Sequence, residues 1–209
     1  MAEPIDPDAA LMVRVREGDR EAFEQLVEKF KQPVFNLICR TIQDSTEAED
    51  LAQNVFVQAY RAAHRYQPGA KFSTWIFTIA RNACLNEIRR RSRHPTESLE
   101  QAGNEHEDEP PRQYEDVQVT SPPQALLRAE LFEKVNLALA DLPETQRTAL
   151  LLCQRGELSY EEIAKVIACS LSATKSLIHR ARETLKQRLK PYLKTGVWQE
   201  DGPEKGAQL

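Results

Sequence analysis

The sequence predicts an all-α protein, with two small helical domains joined by a flexible acidic linker. Apolar residues recur every three to four positions over long stretches, and no segment shows a convincing strand-like alternation. Glycine is scarce, at 7 of 209 residues. A proline-containing acidic stretch separates the two helical stretches. The predicted divisions are a first domain over 1–93, a linker over 94–123, a second domain over 124–195 and a disordered tail over 196–209.

The first domain is predicted to contain five helices, each with an apolar stripe. Asp and Ser favour helix starts, and proline suits a first helical turn, so these residues place most of the boundaries. The last helix ends in a run of three arginines, Arg89–Arg91. The five predicted helices are one over 9–16, one capped by Asp19, one beginning at Pro33, one from about Glu47 to Tyr66, and one beginning near Ser73 or Thr74.

The linker prediction depends on composition. Residues 94–123 contain five prolines and few apolar residues, so this stretch cannot bury enough surface to order itself. The second domain should begin near Gln124. Pro143 suits the first turn of its second helix, Gly156 ends that helix, and Pro191 is expected to end the last helix of the domain.

Residues 158–188 predict a helix-turn-helix. Ser159 and Glu162 have the spacing of a capping box, so a helix should begin at Tyr160, and Ser170 can cap a second helix. Ala168 stands in the turn, where a glycine would be easier to accommodate. The inward positions of the second helix are Thr174, Ile178, Ala181 and Leu185, and the outward ones are Ser172, Lys175, Ser176, His179 and Arg182.

Small polar and basic side chains on an outer helix face can donate to phosphates and base edges in the major groove. The alternative is an ordinary helical hairpin with a solvated basic face. Charge segregation favours nucleic acid, although the net charge is −4. Residues 71–93 carry six basic side chains against one acidic, residues 94–123 one against eight, and residues 170–195 seven against one. Two basic blocks with an acidic connector predict two nucleic-acid contacts.

The basic block from Tyr66 to Arg93 also contains aromatic rings and amides. Unpaired bases stack on such rings, and each stack is worth about 1–3 kcal/mol. Asn82 and Asn86 can pair with an exposed base edge, so this block predicts contact with separated strands. The alternatives stay open here. Trp75 also has the spacing of a core residue, and the Arg89–Arg91 run also suits a solvated helix end.

Other classes of site are weakly represented. Four cysteines and four histidines are scattered without metal-ligand spacing, so no metal, no cofactor and no disulfide framework are predicted. No apolar run approaches a membrane span, and the first residues lack a secretory pattern, so a cytoplasmic protein is expected. A nucleic-acid enzyme would need clustered carboxylates. The only close set before the linker, at positions 44–50, is better explained by a helix start, so no catalytic residue is predicted.

Several motifs together resemble a family. They are Asp-Leu-Ala-Gln-Asn-Val-Phe at 50–56, Phe-Ser-Thr-Trp-Ile-Phe-Thr-Ile-Ala-Arg-Asn at 72–82, Leu-Pro-Glu at 142–144 and Leu-Ser-Tyr-Glu-Glu-Ile-Ala at 158–164. In order and spacing, over about residues 10–190, the chain resembles bacterial RNA polymerase sigma factors of the extracytoplasmic-function group. The resemblance implies that the first domain is sigma region two and the second is region four.

The resemblance also implies three binding sites. Docking on a coiled coil of the largest polymerase subunit is implied for Asp50, Leu51, Gln53, Asn54 and Phe56. Minus-ten recognition and melting, with capture of a flipped base, are implied for Tyr66, Lys71, Phe72, Ser73, Trp75, Arg81, Asn82 and Asn86. Minus-thirty-five recognition is implied for Ser172, Lys175, Ser176, His179 and Arg180. Asn54 replaces a usual acidic residue, and Thr174 and Leu177 replace a usual Val and Arg.

The implied partners are core RNA polymerase, promoter DNA and an anti-sigma factor that can hold the chain at the inner membrane face. The linker is implied to thread into the polymerase toward the active centre. No stable self-association is expected. The main alternative function is an autonomous helix-turn-helix regulator, which would typically dimerise on paired half-sites, and the sequence contains no obvious dimerisation or ligand domain.

Overall fold

A computed structural model of the chain describes residues 6–67, 69, 71–93, 122–196 and 198. These residues form eight α-helices and one short 3-10 helix, with no strand among them, which confirms the all-α prediction. The helices are α1 Pro7–Arg16, α2 Arg20–Ile42, α3 Ser45–Arg61, the 3-10 helix Ala63–Arg65, α4 Phe72–Arg93, α5 Pro122–Ala140, α6 Glu144–Arg155, α7 Tyr160–Ile167 and α8 Leu171–Thr195.

The predicted linker and tail lie mostly outside the described residues. Of the predicted linker, only Pro122 and Pro123 are described, and they form the first turn of α5. Of the predicted tail, Gly196 caps α8, and the ring centroid of Trp198 lies 6.2 Å from that of Tyr192. The Arg188 guanidinium also lies 4.8 Å from the Trp198 ring centroid. Trp198 therefore packs against the end of α8.

Aspartates start the first three helices. The Asp6 carboxylate accepts a hydrogen bond from the Asp8 amide, Asp19 accepts one from the Ala22 amide, and Asp44 accepts one from the Glu47 amide. Each bond satisfies an amide that has no carbonyl partner within its own helix. The predicted cap at Asp19 is confirmed, and so is a helix start in the acidic cluster at 44–50.

Two predicted helix boundaries at prolines are wrong. Helix α2 continues through Pro33, and α8 continues through Pro191 to Thr195. Proline removes one intrahelical hydrogen bond but can be held in a helix by packing on both sides of it. In α2 the buried stripe continues across the proline, from Leu26 and Phe30 to Val34. Tertiary burial therefore outweighs the local signal.

The end of α3 differs from prediction, whereas the start of α4 agrees with it. Helix α3 ends at Arg61 rather than near Tyr66, and the 3-10 helix follows it. Helix α4 begins at Phe72, next to the predicted start near Ser73 or Thr74, and both of these side chains are buried in its first turn. The chain between these helices brings Tyr66 back into the core.

Helices α1–α4 form an N-terminal group in which α2 packs against the other three, and α5–α8 form a C-terminal group in which α8 does the same. The two groups share one continuous buried apolar cluster. Helix α4 packs against α7, and α2 packs against α5 and α6. No helix in the described part of the chain is long and apolar enough to cross a membrane.

A half-buried arginine joins the two groups. Arg147 donates to the Thr41 carbonyl at the end of α2 at 2.7 Å, and to the carbonyls of Ala140 and Leu142 at 2.7 and 3.0 Å. Burial lowers the pKa of this guanidinium, with Glu144 and Asp141 opposing the shift. Carbonyls at helix ends are natural partners for a cation. Arg147 therefore fastens the α5–α6 connection to the end of α2.

Candidate nucleic-acid interface

The helix-turn-helix forms as predicted. The Ser159 amide donates to Glu162 Oε2 at 2.7 Å, and the Glu162 amide donates to Ser159 Oγ at 3.2 Å, which completes the capping box of α7. Ser170 Oγ accepts from the Ala173 amide at 3.2 Å and caps α8. Both predicted helix starts are confirmed.

The turn between α7 and α8 has left-handed backbone at Ala168, with φ 54° and ψ 45°. The Cys169 amide donates to the Ala164 carbonyl at 3.0 Å, which satisfies one of the last acceptors of α7. An L-residue with a side chain pays about 1–2 kcal/mol for this conformation, whereas glycine does not. Ala168 therefore adopts a left-handed conformation that a glycine would accommodate more easily, as the sequence predicted.

Helix α8 has the predicted two faces. Its inward side chains Thr174, Ile178 and Ala181 are fully buried, and Leu185 is partly buried. The Arg182 guanidinium, although exposed, lies 3.2 Å from Cys153 Sγ. All five residues predicted to read the minus-thirty-five element are exposed, namely Ser172, Lys175, Ser176, His179 and Arg180. Hydroxyl, imidazole and cationic donors therefore lie together on a face open to solvent.

The outer face of α4 carries several of the predicted minus-ten residues. Lys71 precedes the helix, and Trp75, Asn82 and Asn86 follow at helical spacing along one side. Lys71, Asn82 and Asn86 are exposed, whereas Trp75 is half-buried. The structure therefore brings together a cation, an indole ring and two amides, and these are groups that can hold a strand's backbone and bases.

Three other predicted minus-ten residues lie in the interior. Tyr66, Phe72 and Ser73 are buried, with Phe72 fully enclosed. The Tyr66 ring packs edge-on against Phe72 and Trp75, with ring centroids 6.3 and 5.3 Å apart. Burial, with Asp6 and Asp8 adding to it, raises the pKa of Tyr66 to about 12. In this arrangement these three residues lie beneath the surface rather than on it. The rings of Tyr66 and Phe72, which the sequence predicted to contact bases, are packed in the apolar core.

Side chains of the C-terminal group cover part of the α4 face. Lys71 Nζ lies 2.9 Å from Glu162 Oε1 on α7, and Arg81 Nε lies 3.7 Å from Glu144 Oε1 on α6. Arg81 also donates to the Val166 carbonyl at 3.4 Å, and its side chain is only 12% exposed. Burial would raise the pKa of Glu162, but Lys71 and Ser159 outweigh it and lower the pKa. Two predicted DNA-binding cations therefore face the protein's own carboxylates.

The three arginines at the end of α4 were predicted either to contact nucleic acid or to form a solvated helix end, and their surroundings differ. Glu87 is buried and accepts from Arg90 Nε at 2.7 Å and from Arg91 Nε at 2.8 Å. Arg91 also bonds Asp44 at the start of α3. The bond from Arg90, helped by Arg91 and opposed by burial, lowers the pKa of Glu87. Arg91 therefore fastens α4 to α3, and Arg90 Nη2 adds a contact with Glu47 Oε1 on α3 at 3.8 Å, while Arg89 is exposed.

The predicted polymerase-docking residues lie on α3. Asp50, Gln53 and Asn54 are exposed at helical spacing, Leu51 is half-buried, and Phe56 is buried. Further along α3, Tyr60 is 44% exposed, and its ring packs on that of Phe23 with centroids 5.0 Å apart.

Beyond these residues lies a surface groove of about 440 Å³ lined by Arg20, Phe23, Glu24, Phe56, Val57, Tyr60 and Arg61. We call it the α2–α3 groove. Sequence reasoning missed it. Val57 is 45% exposed, and its signal was an apolar residue placed outside the buried stripe of α3. The exposed polar side chains predicted to dock on the polymerase therefore border an apolar groove.

Within the described residues, no group of three or more His, Cys, Asp or Glu side chains is placed to hold a metal ion. The four cysteines are free thiols. Burial, with Glu144 adding to it, raises the pKa of the Cys84 thiol to about 12, which keeps this sulfur protonated and unreactive.

Comparisons with known proteins agree with this geometry. The family model described as Sigma-70 region 2 matches residues 26–94, and the model described as Sigma-70, region 4 matches residues 132–185. The chain is 38% identical over 189 residues to RNA polymerase sigma-H factor of Pseudomonas aeruginosa, covering 90% of this chain and 97% of the relative. It is 32% identical over 187 residues to ECF RNA polymerase sigma-E factor of Escherichia coli, covering 90% and 96%.

A solved structure gives the same result. The sigma factor RpoE of Bartonella quintana, in complex with the anti-sigma factor NepR, matches with a TM-score of 0.61 and 25% identity, covering 84% of this chain and 98% of that one. The region two match contains the α4 face and the α3 residues predicted to dock on the polymerase, and the region four match contains the helix-turn-helix. The chain belongs to the extracytoplasmic-function group of bacterial RNA polymerase sigma factors.

Proposed function

We propose that this sigma factor binds core RNA polymerase through α3, reads the minus-thirty-five element with α8, and recognises and melts the minus-ten element with α4. The observation that carries the proposal is that one chain presents two different donor surfaces, one on a helix-turn-helix and one mixing amides with an indole ring. The first chemistry suits a major groove and the second suits a separated strand.

The upstream contact is assigned to Ser172, Lys175, Ser176, His179 and Arg180. Their exposure and their place on the first three turns of α8 support this role, because the N-terminal part of a recognition helix is what reaches base edges. Lys175 and Arg180 would hold phosphates, and the hydroxyls and imidazole would meet bases. The buried side of the helix keeps this register fixed.

The downstream contact is assigned first to Lys71, Trp75, Asn82 and Asn86, which are accessible or partly so. Asn amides can pair with a flipped base, and extrusion of that base costs a few kcal/mol that such contacts must offset. Arg81 joins the surface once Glu144 releases it. Tyr66, Phe72 and Ser73 act by supporting the surface from below.

Polymerase docking is assigned to the exposed α3 face of Asp50, Gln53 and Asn54, with Leu51 and Phe56 beneath it. The α2–α3 groove supports this assignment, because a coiled-coil partner presents apolar side chains beside polar ones. We propose that one apolar side chain of the polymerase coiled coil enters the groove against Val57. Two arginines, Arg20 and Arg61, line the groove.

An anti-sigma factor is the regulatory partner that we propose, supported by the complex of the Bartonella quintana relative with its anti-sigma factor. We also propose that the chain works in the cytoplasm, where such an anti-sigma partner can hold it at the inner membrane face. Its role is binding rather than catalysis, and it requires no stable self-association.

The decisive experiment measures association with core polymerase and then promoter opening. Purified chain should co-elute with core enzyme, and the holoenzyme should produce run-off transcripts from a subset of a random promoter library. Asn82→Ala should reduce open-complex formation by about tenfold or more, since a good base contact is worth about 1–3 kcal/mol, while closed-complex binding changes little.

The matched control is Asn36→Ala, which removes an exposed amide from α2 that is not among the residues assigned to the strand. Failure to bind core enzyme would overturn the proposal. Strong sequence-specific binding to duplex DNA by the isolated chain would instead favour an autonomous helix-turn-helix regulator.

A further inference from the structure

We propose that Asp6 is a positioning residue for minus-ten strand capture, because its carboxylate holds the start of α4 from a distant part of the chain. Asp6 Oδ2 accepts a hydrogen bond from the Phe72 amide at 3.1 Å, and Asp6 Oδ1 accepts one from the Asp8 amide at 3.3 Å. One side chain thus caps α1 and α4 together. The inference rests on the function proposed for the α4 face.

Helix α4 needs a cap from elsewhere. The first amides of a helix have no intrahelical acceptor, and a buried amide left unpaired is costly. Lys71, just before the helix, has no acceptor atom in its side chain. Ser73 and Thr74 come too late to cap Phe72. Because Phe72 is completely buried, Asp6 is the acceptor that the structure provides for its amide.

Asp6 is itself held in place. The next carboxylate, Asp8, accepts from Lys29 Nζ on α2 with both oxygens, at 2.7 and 2.6 Å, and the Asp8 side chain is only 12% exposed. Met12 and Val15 of α1 are buried in the core. The packing of α1 on α2 therefore fixes the position of the Asp6 carboxylate. Through its hydrogen bond with the Phe72 amide, this carboxylate in turn fixes the start of α4.

The residues that Asp6 positions are the ones proposed to meet the strand. Lys71 is adjacent to the bonded amide, and Trp75 lies one turn further along α4, where its amide donates to the Lys71 carbonyl at 3.3 Å. The Phe72 ring contacts Trp75, with centroids 6.0 Å apart. An anion at a helix N-terminus also favours the helix dipole. Loss of Asp6 would therefore loosen the first turn that orients the ammonium and the indole.

The test compares Asp6→Ala with Asp19→Ala, a matched variant that removes the cap of α2 rather than that of α4. Holoenzyme with Asp6→Ala should bind a single-stranded non-template minus-ten oligonucleotide about fivefold more weakly, the size expected for loss of a cap. Binding to duplex carrying the upstream element alone should not change. Asp19→Ala should leave both affinities within about twofold. Asp6→Asn, with one acceptor oxygen, should give an intermediate loss.

A second measurement follows the hydrogen bond directly. Amide hydrogen exchange at Phe72 should accelerate in Asp6→Ala and stay slow in Asp19→Ala. Equal strand affinities for the two variants, or unchanged exchange at Phe72, would overturn the inference. If wild-type holoenzyme itself fails to bind the oligonucleotide, the function proposed for α4 fails instead. If Asn82→Ala weakens strand binding and Asp6→Ala does not, only the inference about Asp6 fails.

Discussion

The two candidate DNA-binding faces differ in accessibility. On α8, all five predicted contact residues are exposed. By contrast, Lys71 just before α4 pairs with Glu162, Arg81 within α4 pairs with Glu144, and the helix packs against α7. The C-terminal group thus presents one candidate DNA surface and covers part of the other.

Carboxylates therefore lie against the two cations that the proposed function assigns to the downstream strand. Glu162 and Glu144 are anions held against the cations of α4, and the covering helix α7 belongs to the helix-turn-helix itself. Under the proposed function, duplex DNA would meet side chains of α8 that are already exposed, whereas strand contact by Arg81 would require Glu144 to move away from it. Partner binding that holds the groups apart would therefore make the second surface available.

The largest expected effect concerns the basic end of α4, where Glu87 holds Arg90 and Arg91. Glu87→Gln should lower the free energy of unfolding at neutral pH by about 2 kcal/mol, the worth of charged hydrogen bonds. The pKa of Glu87 is below its usual 4.5, so the stabilisation is present above pH 4.5 and is lost as the pH falls through the lower folded value. Denaturant unfolding of both proteins over this range measures it.

The control for Glu87→Gln is Glu183→Gln on α8, whose pair with Lys186 is exposed at 3.7 Å. This substitution should change the free energy of unfolding by less than about 0.5 kcal/mol. A difference between wild type and Glu87→Gln that does not shrink in acid would contradict the assigned role of the carboxylate.

A smaller effect should come from uncovering the middle of α4. The double variant Glu144→Gln with Glu162→Gln removes both covering charges, and glutamine can still complete the capping box of α7. The isolated chain should then bind single-stranded minus-ten DNA about fivefold more tightly, since two partly screened ion pairs are lost, worth about 1 kcal/mol. Fluorescence anisotropy of a labelled oligonucleotide measures this affinity.

The matched control for this variant is Glu133→Gln with Glu161→Gln, which removes the same charge from exposed sites in the C-terminal group. An equal gain in both double variants would mean that net charge alone governs strand binding. The comparison between a covered and an open surface would then lose its electrostatic basis.

Local signals made the helix-turn-helix predictable but not the covering of α4. The capping box, the Ser170 cap and the inward stripe of α8 each depend on residues within four positions of one another. The pairing of Lys71 with Glu162 joins distant residues and has no periodic signature. A buried stripe likewise carried α2 through Pro33, against the local preference of proline.

The aromatic residues near α4 show a second limit of sequence reasoning. Tyr66, Phe72 and Trp75 have the composition of a base-stacking surface and equally that of a core. Phe72 is fully buried and Trp75 only partly so. Phe72 and Trp75 are three positions apart, so both lie close to the same face of the helix, and spacing alone does not tell which of them is buried. The tertiary packing of Phe72 against Phe30, with ring centroids 5.1 Å apart, is what makes Phe72 a core residue rather than a base-stacking one.

A single substitution on the exposed face of α8 should have a smaller effect on DNA affinity than uncovering α4. Lys175→Ala should weaken binding to duplex upstream DNA by about threefold and reduce the slope of log affinity against log salt by about one, the signature of one lost phosphate contact. Lys194→Ala, at the far end of the same helix, is the control and should leave the slope unchanged. Equal slopes for wild type and Lys175→Ala would move the contact elsewhere.

The smallest effect tests the turn that orients α8. Ala168 has φ 54°, so Ala168→Gly should relieve backbone strain and raise the free energy of unfolding by about 0.5 kcal/mol, after the extra entropy of glycine in the unfolded chain. Ala168→Val should act in the opposite direction, because a branched side chain tolerates this conformation least. Denaturant unfolding measures both. Since the cap hydrogen bond from Cys169 is retained in Ala168→Gly, its affinity for upstream duplex should match wild type, and a gain or loss there would mean that strain at Ala168 sets the angle of the open face.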